Sequence, residues 1–398
     1  MKTYLQKNVY EAAIERIEYC FDEFENILVA FSGGKDSSVL LNLCYDYAID
    51  HGCLDKLAMY HLDYEAQYQM TTDFVKETFD GFHGILKFWL CLPVGARCAC
   101  RMDGDTWIPW DSAQKEIWVR PMPKNEYVIN EENCPFPITP GEQDYAVQDR
   151  FTQCFADVHG TTGVMIGIRA DESLNRYRAI VSERKVKGYG GKNFIISKSS
   201  TAHYCYPIYD WCVDDVWTYN ATFFKPYNHI YDLYYQAGLT VDQMRVASPF
   251  HDCGADKLAL YRAIDPQTWG KMVGRVNGVN MCAIYGGTSA MGRRDIEKPD
   301  HFTWKEYCFF LLNTLPDGLR KHYLDKLKGS LKIWRDRGEA LDDYPDDTSC
   351  ESSKQAPSYK RMCVCIIKND YDCKYMGFAA TKKEAGRRKM LMEKYRNL

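Results

Sequence analysis

The stretch "NILVAFSGGKDSSVLL", residues 26–41, joins one apolar run to another through Gly33, Gly34 and Lys35. The first run is short and continuous, which predicts a buried strand, and the second begins a helix that continues to residue 50. Glycines let a backbone turn tightly and approach a ligand closely. A helix N-terminus adds free N–H groups and the positive end of the helix dipole. We therefore expect an anion-binding site at residues 32–37.

The side chains of this loop suit a phosphate ligand. Lys35 supplies a point charge, and Ser32 and Ser37 can donate hydrogen bonds to phosphate oxygens. Asp36 has two interpretations, as a ligand that positions Mg²⁺ or as a cap of the helix. The spacing matches neither G-x-x-x-x-G-K-[ST] nor G-x-G-x-x-G. A plain turn between a strand and a helix is the alternative.

Strands and helices alternate on both sides of the loop. "LAMYHLDY" (57–64) and "GILKFWLCLP" (84–93) read as strands, and "QMTTDFVKETFDGF" (69–82) as the helix between them. A further strand, "TGVMIGI" (162–168), precedes a helix that begins near Asp214. This alternation predicts a doubly wound parallel α/β sheet.

Composition changes along the chain suggest the domain organisation. We expect an N-terminal helix (1–26), a nucleotide-binding α/β domain (27–240) with an irregular insertion (93–143), a mainly helical region (241–341), and a linker with a small basic tail (342–398). The insertion is rich in proline and tryptophan, and its length suggests a functional segment or a lid. In the tail, "RMCVCIIKND" and "KYMGFAAT" predict a strand pair before a basic helix, which makes a small α+β tail.

The composition excludes several classes of protein. The 398 residues carry a formal net charge of −4, which argues against a general nucleic-acid binder. An apolar run of membrane-spanning length is absent, and the N-terminus does not resemble a signal peptide, so we expect a cytoplasmic protein without a membrane partner. The 17 cysteines are odd in number and scattered, which favours reduced thiols.

Two C-x-C pairs, Cys98/Cys100 and Cys363/Cys365, are interpreted as buried or incidental thiols. Cys91 and Cys134 also lie near the insertion and could meet Cys98 and Cys100, although four metal ligands at such spacings would be atypical. We expect no iron–sulfur cluster.

Four motifs carry a resemblance to a known family. "SGGKDS" (32–37) resembles the pyrophosphatase loop (PP-loop) of N-type ATP pyrophosphatases. "HLDYEAQY" (61–68), "GIRADESLNR" (167–176) and "YPIYDWCVDDVWTY" (206–219) resemble motifs of the phosphoadenosine phosphosulfate (PAPS) reductase branch. The resemblance implies an adenine nucleotide α-hydrolase-like, Rossmann-like fold with a mainly helical C-terminal region.

The resemblance also implies a reaction. Members bind ATP or a PAPS-like nucleotide, and the ATP pyrophosphatases cleave ATP between the α and β phosphates, with Mg²⁺, to adenylate an acceptor. Lys35, Asp36 and Arg169 are then the candidate catalytic residues, with Asp36 the candidate Mg²⁺ ligand. The candidate nucleotide-binding residues are Ser32, Gly33, Gly34, Lys35, Asp36, Ser37, Asp63, Arg169, Glu172 and Arg176.

Two alternatives stay open. A sulfonucleotide reductase would use Cys253 in "HDCGADKL" as its nucleophile, although the family's histidine after the cysteine is absent. Stretches such as "KNDYDCKYMGF" (368–378) resemble the IbrA/YbdN group, which is usually encoded beside a ParB-like partner. The chain could therefore be a nucleotide-binding regulatory subunit of such a partner, acting on DNA through the basic C-terminal helix. That helix carries Lys382, Lys383, Arg387, Arg388, Lys389, Lys394 and Arg396.

Overall fold

In the computed structural model, the described residues are 6–101, 106–181, 189–251, 254, 257–285, 296, 298–336, 343–347, 358–367, 373 and 376. The chain forms two compact units. The first contains Met1–Tyr235, Leu239–Asp256 and Gly270–Cys282, and the second contains Gln236–Gly238, Lys257–Trp269 and Ala283–Leu398. Across the described ranges, no helix has the length and apolar character needed to cross a membrane.

In the described part of the chain, the strands belong to the first unit. They are β1 (Asn26–Ala30), β2 (Leu57–Leu62), β3 (Leu86–Leu90), β4 (Val94–Arg97), β5 (Thr106–Trp107), β6 (Val128–Ile129), β7 (Glu142–Gln143), β8 (Thr162–Ile166), β9 (Ile195–Ser197) and β10 (Ala202–Cys205). Seven of them form one sheet in the order β6-β3-β2-β1-β8-β10-β9, and β5-β4-β7 form a smaller one. The large sheet is parallel except for β9, which pairs antiparallel with β10. The predicted parallel α/β sheet is thereby confirmed.

The helices are numbered in chain order. They are α1 (Val9–Glu23), α2 (Lys35–Asp50), α3 (Gln69–Gly81), α4 (Asp144–His159), α5 (Leu174–Val181), α6 (Val213–Thr222), α7 (Ile230–Gln236), α8 (Leu258–Ile264), α9 (Pro266–Arg275), α10 (Val279–Tyr285), α11 (Trp304–Asn313), α12 (Asp317–Asp336) and α13 (Tyr359–Ile367). The predicted amphipathic helix near the N-terminus is α1, and the helix expected near Asp214 is α6.

The large sheet is buried on both faces, which explains the continuous apolar run of β1. Ile27 and Val29 belong to the core that α1 and α2 cover. Leu28 points to the opposite core, which includes Val147 and Phe151 of α4. Successive residues of a strand alternate between faces, so a strand covered on both sides needs apolar residues throughout.

The expected strand at the start of the C-terminal tail is wrong. Residues 359–367 form the helix α13 of the second unit. Tyr359, Met362, Cys363 and Ile366 are buried in the core of that unit, a spacing of three and four residues that belongs to a helix. An unbroken apolar run such as "MCVCII" fits either structure until its neighbours are known.

Candidate functional site

The carboxyl ends of β1 and β8 form the crevice that positions the site. The strands on one side of β1 follow as β2, β3 and β6, and those on the other side as β8 and β10. The strand order therefore reverses between β1 and β8, and ligands of open α/β sheets bind at such a point. A pocket of about 360 Å³ opens there, within the range of roughly 300–1,000 Å³ typical of small-molecule sites.

Glycine is needed at two places around the N-terminus of α2, one after β1 and one after β8. Gly33 has φ +76°, and a Cβ there would come within 2.8 Å of a Val75 methyl group. A Cβ on Gly167, after β8, would lie 3.0 Å from the carbonyl carbon of Asp36. This close approach brings the end of β8 against the N-terminus of α2. The buried Asn228 holds the loop by donating to the Gly33 carbonyl oxygen at 3.1 Å.

Lys35 lies at the base of the pocket, with only 3% of its surface exposed. Its Nζ donates to the carbonyl oxygen of Met244 at 3.2 Å and lies 3.2 Å from Oδ2 of Asp36. The Tyr231 hydroxyl accepts the backbone N–H of Lys35 at 2.9 Å. Burial lowers the pKa of Lys35, and nearby Arg169 and Arg245 lower it further while Asp36 raises it. An anionic ligand would stabilise the charged ammonium group.

Asp36 connects the loop to Arg169. Nε of Arg169 donates to Oδ1 of Asp36 at 2.5 Å, and the arginine is 3% exposed. Within the described part of the chain, Nη1 of Arg169 is buried without a hydrogen-bond partner. A buried donor without a partner is costly, so a ligand oxygen would be stabilised here. The predicted Lys35, Asp36 and Arg169 are thus brought together.

Two further predicted residues, Glu172 and Arg176, line the pocket and form an ion pair. Burial lowers the pKa of Arg176, an effect that a phosphate beside it would oppose. Arg245 also lines the pocket and donates to the Glu172 carbonyl oxygen at 2.6 Å. Lys35, Arg176 and Arg245 line the pocket with two carboxylates, Asp36 and Glu172. Arg169 adds a fourth cation through its ion pair with Asp36, so four positive minus two negative charges leave a net charge of +2.

Sequence reasoning missed Arg245, Tyr231 and the aromatic wall of the pocket. Tyr60, Tyr64 and Tyr145 line the pocket beside the aliphatic residues at the ends of β2 and β8. Tyr64 donates to Asp144 at 2.7 Å, whereas Tyr145 is 76% exposed. Tyrosine rings beside a group of cations suit a ligand that has a ring at one end and phosphates at the other. Isolated tyrosines and one loop arginine give no local sequence signal.

Asp63, a predicted nucleotide-binding residue, does not line this pocket. It lines a smaller cavity that shares Ser32 with the pocket. Its Oδ2 accepts hydrogen bonds from Arg120 and from the Trp89 indole at 2.7 Å. Burial alone would raise the pKa of Asp63, but Arg120 and its hydrogen bonds hold it below its usual value. The carboxylate therefore fixes the insertion that carries Arg120.

Glu65, two residues later, anchors the same insertion. It is fully buried, and its carboxylate accepts the backbone N–H groups of Trp110 and Val119, each at 2.8 Å. Arg275 donates to both oxygens, at 2.9 and 3.1 Å. Trp110 of the insertion is buried and donates to the Asp63 carbonyl oxygen at 2.7 Å. The insertion is thus packed onto the tip of β2.

The cysteines of the insertion do not gather as one group. Cys91 lies beside Asp63, with its sulfur 3.9 Å from Oδ2. Cys98 and Cys100 instead contact one another, and Cys100 contacts Cys282. The Cys100 thiol donates to Cys98 and lowers the pKa of Cys98 to about 7. Cys134, the fourth of the cysteines considered, lies beside a different, shallow surface cavity.

Several predicted features lie outside the described residues. They are the candidate nucleophile Cys253, the predicted strand "KYMGFAAT" apart from Met376, and the basic C-terminal helix.

The donors at the pocket do not fit a Mg²⁺ ion held by the protein. Mg²⁺ prefers carboxylate and water oxygens in octahedral geometry. Asp36 and Glu172 are the carboxylates that line the pocket, and each is paired with an arginine. In the ranges that the structure describes, no three His, Cys, Asp or Glu side chains form a metal-binding group. We therefore assign no step to a resident metal, and the candidate role of Asp36 as a ligand stays a prediction.

Comparison with known proteins adds two family matches. Residues 26–237 match the phosphoadenosine phosphosulfate reductase domain. Residues 238–344 and 339–387 match a domain of unknown function (DUF3440). The sequence is 33% identical over 384 residues to the uncharacterized protein YbdN of Escherichia coli (strain K12), covering 95% of this chain and 92% of that protein.

Solved structures with a partial likeness include two from Candida species. The PAPS reductase of Candida auris, in a phosphate complex, has 14% identity and a TM-score of 0.32, covering 58% of this chain and 93% of that one. The FMN adenylyltransferase of Candida glabrata has 12% identity and a TM-score of 0.34, covering 62% of this chain and 65% of that one.

Proposed function

This chain belongs to the phosphoadenosine phosphosulfate reductase domain family, and we propose that it binds ATP and cleaves it between the α and β phosphates to adenylate an acceptor. The observation that carries the proposal is the cluster of Lys35, Asp36 and Arg169 at the N-terminus of α2, in which Lys35 and Asp36 line the 360 Å³ pocket and the buried Arg169 is ion-paired with Asp36. Two buried cations at a helix N-terminus would stabilise a leaving pyrophosphate.

Each residue has a distinct part in this reaction. Lys35 neutralises charge that develops on the leaving phosphates, while Asp36 fixes Arg169 so that its unpartnered Nη1 can donate to a phosphate oxygen. Arg176 and Arg245, which also line the pocket, contact the phosphates as well, and the tyrosine wall receives the base. The net charge of +2 before the ligand enters favours a polyphosphate. Mg²⁺ enters as part of the nucleotide substrate.

Product analysis tests the proposal directly. Purified protein is incubated with MgATP, and the nucleotide products are separated while pyrophosphate and phosphate are measured independently. We expect AMP and pyrophosphate. Lys35→Met removes the ammonium group but keeps the length of the side chain, and a loss of one such charge-stabilising donor lowers turnover by about 10²–10³-fold.

Lys225→Met is the matched control. Lys225 also pairs with an aspartate of α2, Asp46, at 2.6 Å, but it does not line the pocket. We expect turnover close to wild type in this variant. ADP and phosphate as products would refute α–β cleavage. ATP binding without any pyrophosphate release, or equal activity of Lys35→Met and wild type, would also refute the proposal.

A further inference from the structure

A small cavity beside the phosphate-binding loop has no part in the function proposed above. Its volume is about 90 Å³, which equals roughly three water molecules at about 30 Å³ each. Ser32, Leu62 and Tyr64 line both this cavity and the larger pocket, so the two spaces meet at the first residue of the loop. A cavity of this volume holds only a small group.

His61 lines this cavity with a defined tautomer. Its Nδ1 lies 2.9 Å from the carbonyl oxygen of Phe31. A carbonyl oxygen can only accept, so Nδ1 carries the proton, and in the neutral ring Nε2 carries a lone pair. Burial lowers the pKa of His61, Arg120 lowers it further, and Asp63 opposes them. The ring is therefore neutral at pH 7 and can accept a proton at Nε2.

Two polar groups of the cavity have no partner. Among the described residues, Nε of Arg120 and the Ser248 hydroxyl are buried without a hydrogen bond. The Arg120 side chain is nine-tenths buried, and its charge is balanced by Asp63. Donors without partners call for a ligand oxygen, whereas the balanced charge disfavours an anion. A neutral hydroxyl satisfies both conditions, since it accepts from Arg120 or Ser248 and donates to His61.

We propose that this cavity holds the hydroxyl group of the acceptor and that His61 is the base that takes its proton. The inference rests on the proposed α–β cleavage and names the class of its acceptor, a small alcohol or the alcohol end of a larger molecule. The hydroxyl oxygen forms a bond to the α phosphorus as the bond from that phosphorus to the bridging oxygen breaks. Pyrophosphate leaves with the electron pair, and the hydroxyl proton passes to Nε2 of His61.

The charged and titratable groups that face His61 set the pH dependence. Asp63 and Arg120 form an ion pair beside the ring, and the Cys91 thiol, whose pKa is raised by burial, stays neutral there. Because the pKa of His61 is lowered from 6.5, the neutral base is present at pH 6.5 and above, and it is lost as the pH falls through that lowered pKa. Turnover should therefore be flat above pH 6.5 and fall on acidification.

Alcohols serve as probes of the acceptor. The enzyme is incubated with MgATP in water containing methanol, and the methyl ester of AMP is measured by mass spectrometry beside AMP and pyrophosphate. His61→Asn keeps a side-chain N–H for the Phe31 carbonyl oxygen but removes the base. We expect turnover to fall by about 10²–10⁴-fold, and the decrease of turnover at acidic pH to disappear. Ser248→Val fills the cavity and should lower methyl ester formation while ATP binding stays unchanged.

The matched control is His51→Asn. Nδ1 of His51 also lies 2.9 Å from a backbone carbonyl oxygen, that of Tyr47, but His51 does not line the cavity. Pyrophosphate release with no methyl ester, or a His61→Asn variant with wild-type rate and pH profile, overturns this inference and leaves α–β cleavage intact. A phosphoramidate formed from methylamine in preference to the methyl ester overturns the hydroxyl assignment. ATP binding without pyrophosphate in either solvent overturns both proposals.

Discussion

Replacing Arg275 with methionine tests whether buried charge holds the insertion in place. The guanidinium makes four hydrogen bonds, two to the Glu65 carboxylate, one to Gln114 at 2.6 Å and one to the Ile108 carbonyl oxygen at 2.7 Å. Glu65 is fully buried, and Arg275→Met leaves it with the two backbone N–H donors of Trp110 and Val119. Removing one partner of a buried ion pair costs about 3–5 kcal/mol.

Hydrogen exchange of residues 106–120 measures this cost at the site. A loss of about 3–5 kcal/mol in the free energy of opening lowers amide protection roughly 140- to 3,700-fold, since 1.4 kcal/mol is a factor of ten. Lys115→Met is the control in the same segment. Its exposed ammonium lies 5.8 Å from the Trp118 ring centroid, a contact worth about 0.5–1 kcal/mol, so protection should fall by at most about fivefold.

The double variant Glu65→Gln/Arg275→Met separates charge from packing. It removes both charges together, so we expect it to recover part of the protection that Arg275→Met loses. If Arg275→Met changes protection of residues 106–120 by less than tenfold, the ion pair does not hold the insertion and the reasoning is wrong. If the amides of residues 106–120 are as poorly protected in the double variant as in Arg275→Met, the loss of protection comes from lost packing and not from the buried charge.

Three further predictions follow from the loop and from the buried histidines. Gly33→Ala should destabilise the protein by about 1–3 kcal/mol in denaturant unfolding, more than Gly52→Ala, because φ is positive at both positions but a methyl group meets a neighbour only at Gly33. Asn228→Ala should cost about 1–3 kcal/mol and weaken ATP binding in calorimetry, since two buried partners lose its amide donor. Burial lowers the pKa of His61 and of His203, so the unfolded chain binds protons first and stability should fall as the pH drops below 6.5; an unchanged melting temperature between pH 7 and 5 would contradict this.

The sequence predicted the parts of the molecule that depend on neighbours along the chain. The strand, loop and helix at residues 26–50 are specified by local periodicity and by glycine, and the structure has them there. Arg169 meets Asp36 because both follow parallel strands of one sheet, which places them at the same edge. Such contacts follow from topology alone.

Contacts made by long connections were not predictable in this way. Arg245 reaches the pocket from a loop, and no periodic pattern specifies where that loop lies. The resemblance implies that Asp63 binds the nucleotide, and that stays a prediction; its contact with Arg120 was not predictable, because the irregular insertion supplies that residue. The helix at residues 359–367 was read as a strand because its apolar residues are consecutive, and only the packing of its unit distinguishes the two.

The separation of Glu65 and Arg275 along the chain has a consequence for biosynthesis. They lie 210 residues apart in the sequence. Lys35 and Met244, whose carbonyl oxygen accepts the hydrogen bond of the lysine, lie 209 residues apart. A ribosome adds about 5–20 residues per second, so Arg275 is synthesised roughly 10–40 s after Glu65. During that time the sheet can form, but the pocket lacks part of its floor and the insertion lacks its anchor. Nucleotide binding therefore begins only late in the synthesis of each molecule.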